Sequence, residues 1–219
     1  MLKIISGKYR NQIIPTTKNI KYRPSTGKLK EAIFSILTSG EFTGNKLFNK
    51  NTHILDLFAG SGSLAFESLS RGAGFATLID IDTSSLKIAE GFAKSLNIEN
   101  NVNFVNINAL NLPKANESFD LVFIDPPYHK DIVPKVMKLL IKNNWLKDGT
   151  IIVIEMAKLD DYVLDENIEI LREKLYGKSK LLVLRYMVVI PRLDRPCCMV
   201  RKTYSMSFPR RRESSKKQT

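Results

Sequence analysis

At 219 residues and 43% apolar content, the chain can bury the core of one large α/β domain, which excludes a wholly disordered protein. No apolar run reaches membrane-spanning length and no long apolar leader opens the chain, so a cytoplasmic protein away from membranes is expected; two adjacent cysteines (Cys197, Cys198) and two histidines give neither a disulfide framework nor a metal site. The net charge of +12 is uneven: residues 1–50 hold 10 Lys/Arg against 2 Asp/Glu, residues 51–190 hold 15 against 18, and residues 191–219 hold 9 against 2. A near-neutral middle with two basic ends points to a polyanion partner, and the segment before Glu31 contains no acid at all.

In chain order, residues 2–5 and 12–14 are short apolar runs around Gly7-Lys8-Tyr9-Arg10-Asn11, which predicts a small hairpin with a basic tip. Pro24 biases Arg23 towards extended backbone, and Ser25 or Thr26 can cap a helix over about 28–38. Lys28 and Lys30 fall in its first turn, where cations oppose the helix dipole, and this arrangement is better served if an anion binds there. From residue 52 the pattern is strand, helix, strand, helix. Strands are expected at 54–58, 76–79, 102–107, 121–124 and 150–154, and helices at 63–71, 83–96 and 131–142. Two longer strand-like runs, 168–176 and 180–190, flank Tyr176-Gly177-Lys178-Ser179 and read as a closing hairpin. The alternation predicts a doubly wound, mostly parallel Rossmann-like sheet with a C-terminal antiparallel hairpin. The organisation expected is a basic N-terminal extension (1–50), a catalytic domain (51–190) and a disordered basic tail (191–219).

Two stretches carry the chemistry. Asp120-Leu121-Val122-Phe123-Ile124-Asp125-Pro126-Pro127-Tyr128 begins as a buried strand and ends in two prolines, which cannot continue a central strand. Asp125 therefore sits at a carboxyl strand end, where open α/β sheets place their ligands. The Asp125 carboxylate and Pro126 carbonyl form a rigid acceptor pair beside the flat ring of Tyr128, a setting suited to a planar base with an exocyclic amine. The other stretch, Asp56-Leu57-Phe58-Ala59-Gly60-Ser61-Gly62, is a glycine loop between strand and helix, with Asp80 about 20 residues on. That spacing also fits a nicotinamide enzyme. A carboxylate at Asp56 favours an amine-bearing ligand over a pyrophosphate, and S-adenosylmethionine fits: ammonium towards Asp56, ribose hydroxyls on Asp80, adenine near Asn108-Ala109. Asp82 is at least as well placed as Asp80 to cap the following helix, and Asn108 also suits a turn.

The glycine loop together with Asp125-Pro126-Pro127-Tyr128 resembles the class I methyltransferases that act on exocyclic amino groups. Ile4-Ile5-Ser6-Gly7-Lys8-Tyr9-Arg10, Arg23-Pro24-Ser25-Thr26 through Glu31, and Glu67-Ser68-Leu69-Ser70-Arg71-Gly72-Ala73 resemble more closely the RsmD family, over about residues 1–190. That resemblance implies a class I methyltransferase fold with a small N-terminal hairpin and helix. It implies methyl transfer from S-adenosylmethionine to N2 of a guanine in 16S ribosomal RNA, free or within small-subunit particles. Asp125, Pro126, Pro127 and Tyr128 would be catalytic. Asp56, Phe58, Gly60, Ser61, Gly62, Asp80, Ile81, Asn108 and Ala109 would hold the cofactor, and Lys8, Arg10, Arg23, Thr26, Lys28 and Lys30 the RNA. Gly27, Lys28 and Lys30 depart from the family pattern, in which Asp and Arg follow the Thr pair. No metal is implied, and a monomer is expected. The rivals are a DNA adenine or cytosine amino-methyltransferase, the nicotinamide enzyme, and a non-enzymatic RNA-binding ribosome assembly factor.

Overall fold

The computed structural model describes residues 2–16, 27–41, 47–127, 132–158, 160 and 165–188. Five strands run parallel: β3 (His53–Leu57), β4 (Phe75–Asp80), β5 (Val102–Asn106), β6 (Phe119–Ile124) and β7 (Leu146–Ala157). They are flanked by β8 (Ile168–Tyr176) and β9 (Ser179–Tyr186), and β9 pairs antiparallel with both β7 and β8. Spatial order is β5-β4-β3-β6-β7-β9-β8. The chain moves outward from β3 to β5, then crosses back to lay β6 on the other side of β3. That reversal is the switch point, and it leaves a crevice above the carboxyl ends of β3 and β6.

The apolar runs form central strands because helices cover both faces of the sheet. Helices α1 (Gly27–Thr38), α2 (Ser63–Ser70) and α3 (Thr83–Ser95) pack on one face, where Phe34, Phe66 and Phe92 join Ile54, Leu78 and Phe123. Helix α4 (Ile132–Lys142) covers the other, where Val136 and Leu140 join Leu55, Leu57, Ile124 and Ile154. Side chains alternate between the faces, so Asp56, between Leu55 and Leu57, points towards the α2 side.

Boundaries shift modestly from expectation. Strand β7 starts at Leu146 and continues past Glu155 to Ala157, because β9 supplies a ladder partner as far as Ala157↔Ser179. Strand β9 ends at Tyr186, short of the expected 190. The expected hairpin is present as β1 (Leu2–Lys3) and β2 (Ile13–Ile14), paired antiparallel. Residues Met1–Val189 form one compact unit. In it, Ile4 and Ile14 of the hairpin and Ile33 and Phe34 of α1 share the core of the sheet's first face. The tail over 191–219 lies outside the described residues.

Candidate active site

The register Leu57↔Ile124 sets Phe58 beside Asp125 at the switch point. The loop after β3 then turns sharply. Phe58 has φ 61°, Gly60 φ 53° and Gly62 φ 76°, three left-handed residues within five. Phe58 is the notable one, because a side chain in that region is strained and such strain concentrates where backbone must meet a ligand. A Cβ on Gly60 would meet nothing within 4 Å, whereas one on Gly62 would lie 2.5 Å from Leu78 Cδ2. One glycine therefore leaves the crevice open and the other lets the loop pack on the core.

Two carboxylates fix this loop. Gly62 is the N-cap of α2 and has no side chain to cap it, so Asp56 reaches from inside β3 and accepts the Ala65 amide at 3.1 Å. Asp80, at the end of β4, accepts the Gly60 amide at 2.7 Å and the Asp82 amide at 2.8 Å. Asp82 caps α3 by accepting the Ser84 amide at 3.0 Å. Burial, with lesser contributions from the negative charges of Asp125 and Asp80, pushes the Asp56 carboxyl up to about 8, against the opposing pull of the Ala65 amide. Three carboxyl groups from three neighbouring strands thus meet at one crevice; with Asp56 held protonated by burial, the negative field that favours a cationic ligand comes from Asp80 and Asp125. Asp56, read from the sequence as the carboxylate facing the cofactor's ammonium, is 2% exposed and shapes the loop from beneath.

The other residues read from the sequence are distributed around this frame. Asp125 and Pro127 are partly exposed above β6 and Pro126 is buried, while Tyr128 lies outside the described residues. Ser61 is half-buried in the loop. Ile81 is 68% exposed directly after Asp80, an apolar surface on the rim of the crevice. Asn108 caps a short 3-10 turn (Ala109–Asn111) by accepting the Leu110 amide at 2.9 Å, and Ala109 is buried beneath it. Among the described residues no group of three or more His, Cys, Asp or Glu could hold a metal ion, and no helix is long and apolar enough to cross a membrane.

Comparison with known proteins places this frame. The family model described as Conserved hypothetical protein 95 matches residues 2–185. The chain belongs to that family. A protein of Rickettsia prowazekii named only as an uncharacterized methylase is 71% identical, over 85% of this chain and 98% of its own length. The ribosomal RNA small subunit methyltransferase D of Escherichia coli is 32% identical, over 70% of this chain and 74% of its own length. Among solved structures, a protein of Haemophilus influenzae provisionally named a methylase superposes with a TM-score of 0.70 at 29% identity, covering 85% of this chain and 98% of its own. The resemblance to the RsmD family and the class I methyltransferase fold read from the sequence are borne out.

In this family member the motif Glu67–Ala73 docks the N-terminal hairpin, a role the sequence reading did not assign. Glu67 is fully buried on α2, yet it accepts the amides of Ile5 at 2.7 Å and Ser6 at 3.1 Å. It also takes Arg71 Nε at 2.8 Å and lies 3.7 Å from Lys30 Nζ. Ser70 accepts the Tyr9 amide at 2.9 Å and donates to the Ser6 carbonyl at 2.6 Å. Gly7 makes the contact possible, since a Cβ there would sit 1.8 Å from the Ser70 carbonyl oxygen. The available signal was a Glu and an Arg four residues apart on a helix whose neighbours are otherwise apolar or small.

This docking corrects the reading of Lys30 as an RNA contact. Lys30 is 2% exposed, and its ammonium donates to the Lys3 carbonyl at 2.7 Å and Ser63 Oγ at 3.1 Å. Burial lowers its pKa, opposed by Glu67. The anion expected near the start of α1 is thus, for Lys30, the internal carboxylate of Glu67. Lys28, Lys8 and Arg10 remain exposed, whereas Arg23 and Thr26 lie outside the described residues.

Proposed function

We propose that the protein transfers a methyl group from S-adenosylmethionine to the exocyclic N2 amine of a guanine in 16S ribosomal RNA. The observation that carries this reading is the place of Asp125 and Pro126 directly after β6, whose Leu57↔Ile124 register with β3 brings them next to the left-handed glycine loop. Relatives named ribosomal RNA small subunit methyltransferase D, 31% to 36% identical, support ribosomal RNA as the substrate class.

When bound, S-adenosylmethionine supplies an electrophilic methyl on a sulfonium. The loop from Phe58 to Gly62 would meet its amino-acid portion, where the field of Asp80 and Asp125 favours positive charge. Asp80 would take the ribose hydroxyls. Ile81 would lie against one face of the adenine, with Asn108 and Ala109 at its edge. An aromatic amine is a poor nucleophile, because its lone pair is delocalised into the ring. Hydrogen bonds from the amine to Asp125 and the Pro126 carbonyl favour the pyramidal nitrogen and stabilise its growing positive charge, so they strengthen towards the transition state. The bound cofactor would supply the methyl, and Asp125 would hold the amine in place while its surplus proton leaves to water. Tyr128 would stack on the base, which must already be unpaired or be flipped out. Lys8, Arg10 and Lys28, with Arg23 and Thr26, would hold the RNA backbone, alone or within the small-subunit particle.

The test is transfer of labelled methyl from S-adenosylmethionine to 16S RNA, offered free and within small-subunit particles, followed by digestion to nucleosides. Label in N2-methylguanosine is the expected result. Label in another nucleoside, or none despite cofactor binding, would overturn the assignment of the base.

A further inference from the structure

At the amino ends of the strands, opposite the crevice of the switch point, lies a concavity of about 460 Å³, a size typical of small-ligand sites. Its floor is Leu69 and Ile98, its walls are the rings of Tyr9 and Phe75, and Lys8 and Lys50 stand on its rim. Among the described residues that line it there is no acid. Phe75 begins β4 and Asp80 ends it, so five strand steps, roughly 17 Å, separate this groove from the cofactor carboxylate.

Two close backbone contacts build the groove. Gly7 against Ser70 brings Lys8 and Tyr9 to one side, and the Lys8 amide donates to the Ser70 carbonyl at 2.7 Å. Gly74 against Lys50 sets the other, since a Cβ on Gly74 would lie 1.9 Å from the Lys50 carbonyl oxygen. Phe75 is held 43% exposed, its ring 5.0 Å from that of His53. An aromatic side chain left open between two lysines is a base-stacking platform with phosphate contacts beside it. On the far side of Phe75 a second concavity carries Glu117, which holds His53 Nδ1 at 2.8 Å. That carboxylate repels phosphate and directs a nucleic-acid strand to the Lys8–Lys50 side.

We propose that this groove is a second RNA-binding site, where an unpaired base of the substrate stacks on Phe75 while its flanking phosphates lie on Lys50 and on Lys8, whose ammonium stands 5.0 Å over the Tyr9 ring. The inference rests on RNA being the substrate. It adds a contact several nucleotides away from the methylated base, so that the hairpin anchors the RNA at the far end of α2 while the target enters the crevice.

The experiment is equilibrium binding of a fluorescein-labelled single-stranded RNA of about twenty nucleotides, a length that exceeds one such site. S-adenosylhomocysteine binding serves as the folding control. Lys50→Glu and Phe75→Leu should each weaken RNA binding about tenfold, Phe75→Tyr should restore it, and cofactor affinity should not change. Lys50→Gln should reduce the slope of log affinity against log salt by about one. Wild-type RNA affinity in either Lys50→Glu or Phe75→Leu would overturn the proposal. Because the readout is binding, a chain that methylates no guanine but loses RNA affinity in these variants would leave the groove standing and sink the methyl-transfer reading alone.

Discussion

The carboxylate of Glu67, inside helix α2, accepts the backbone amide of Ile5, 62 residues earlier in the chain, at 2.7 Å. Through this bond and its neighbours the N-terminal hairpin lies along α2, with Lys3 near Ser63 and Lys8 against Ser70. The hairpin is thereby tied to the same helix whose first turn closes the cofactor loop. A buried carboxylate meets its desolvation cost only if several donors satisfy it, and Glu67 has four.

Removing that centre leaves buried donors without an acceptor. Glu67→Ala should destabilise the protein by about 3–5 kcal/mol, as expected when one partner of a buried ion pair is lost. Urea unfolding checks it, and a change below about 1 kcal/mol would show that the hairpin is held by its apolar contacts instead.

Lys28 and Lys30 are two positions apart on α1 and should behave differently. Lys28→Ala, at an exposed site, should leave stability within about 0.5 kcal/mol and lower the salt slope of RNA binding by about one. Lys30→Met should instead act on thermal stability, because the ammonium it removes holds Lys3, Ser63 and Glu67. Parallel melting and RNA-binding measurements separate the two.

The Asp56 carboxyl gives a pH signature. Its pKa rises from 3.8 in the unfolded chain to about 8 in the fold, so the folded state binds the proton more tightly. The stability it contributes is therefore complete below pH 3.8, declines as pH rises, and is gone above about pH 8. Asp56→Asn keeps a carbonyl for the Ala65 amide but cannot ionise. Its melting temperature relative to wild type should climb between about pH 4 and pH 8 and then level off. A constant difference across that range would contradict the buried, protonated carboxyl.

Asp125→Ala should abolish turnover while S-adenosylmethionine still binds, because the glycine loop and Asp80 remain to hold it. Calorimetric cofactor binding beside a methyl-transfer assay makes the comparison. Near-normal turnover would remove Asp125 from the mechanism.

The two loop glycines should fail in distinct ways. Gly62→Ala places a methyl 2.5 Å from Leu78 Cδ2 at φ 76°, and overpacking with backbone strain should cost about 2–4 kcal/mol of stability. Gly60→Ala meets nothing within 4 Å, so only the roughly 1 kcal/mol of left-handed strain remains, with a larger loss in cofactor affinity. Melting and titration of both variants decide it.

The alternation of apolar runs with glycine and proline punctuation determined the class of fold. The apolar runs of β3, β4, β6 and β7, too apolar to alternate, had to be strands covered on both faces, and helices between the strands had to make the sheet parallel. Pro126 and Pro127 ended β6 by chemistry that no tertiary context overrides, which placed Asp125 at a strand end. The glycine loop was legible for the same local reason. What each charged residue does was not legible, because burial is a property of packing. Asp56 reads as a carboxylate available to an amine until β3 and α2 close over it. Lys30 and Lys28 are both lysines in the first turn of α1, and only the hairpin lying across Glu67 makes one an internal ion-pair partner while the other stays exposed. Strand order was likewise a tertiary outcome: β6 returns beside β3, and that crossing, set by which apolar faces fit together, brings Asp56, Asp80 and Asp125 into one field.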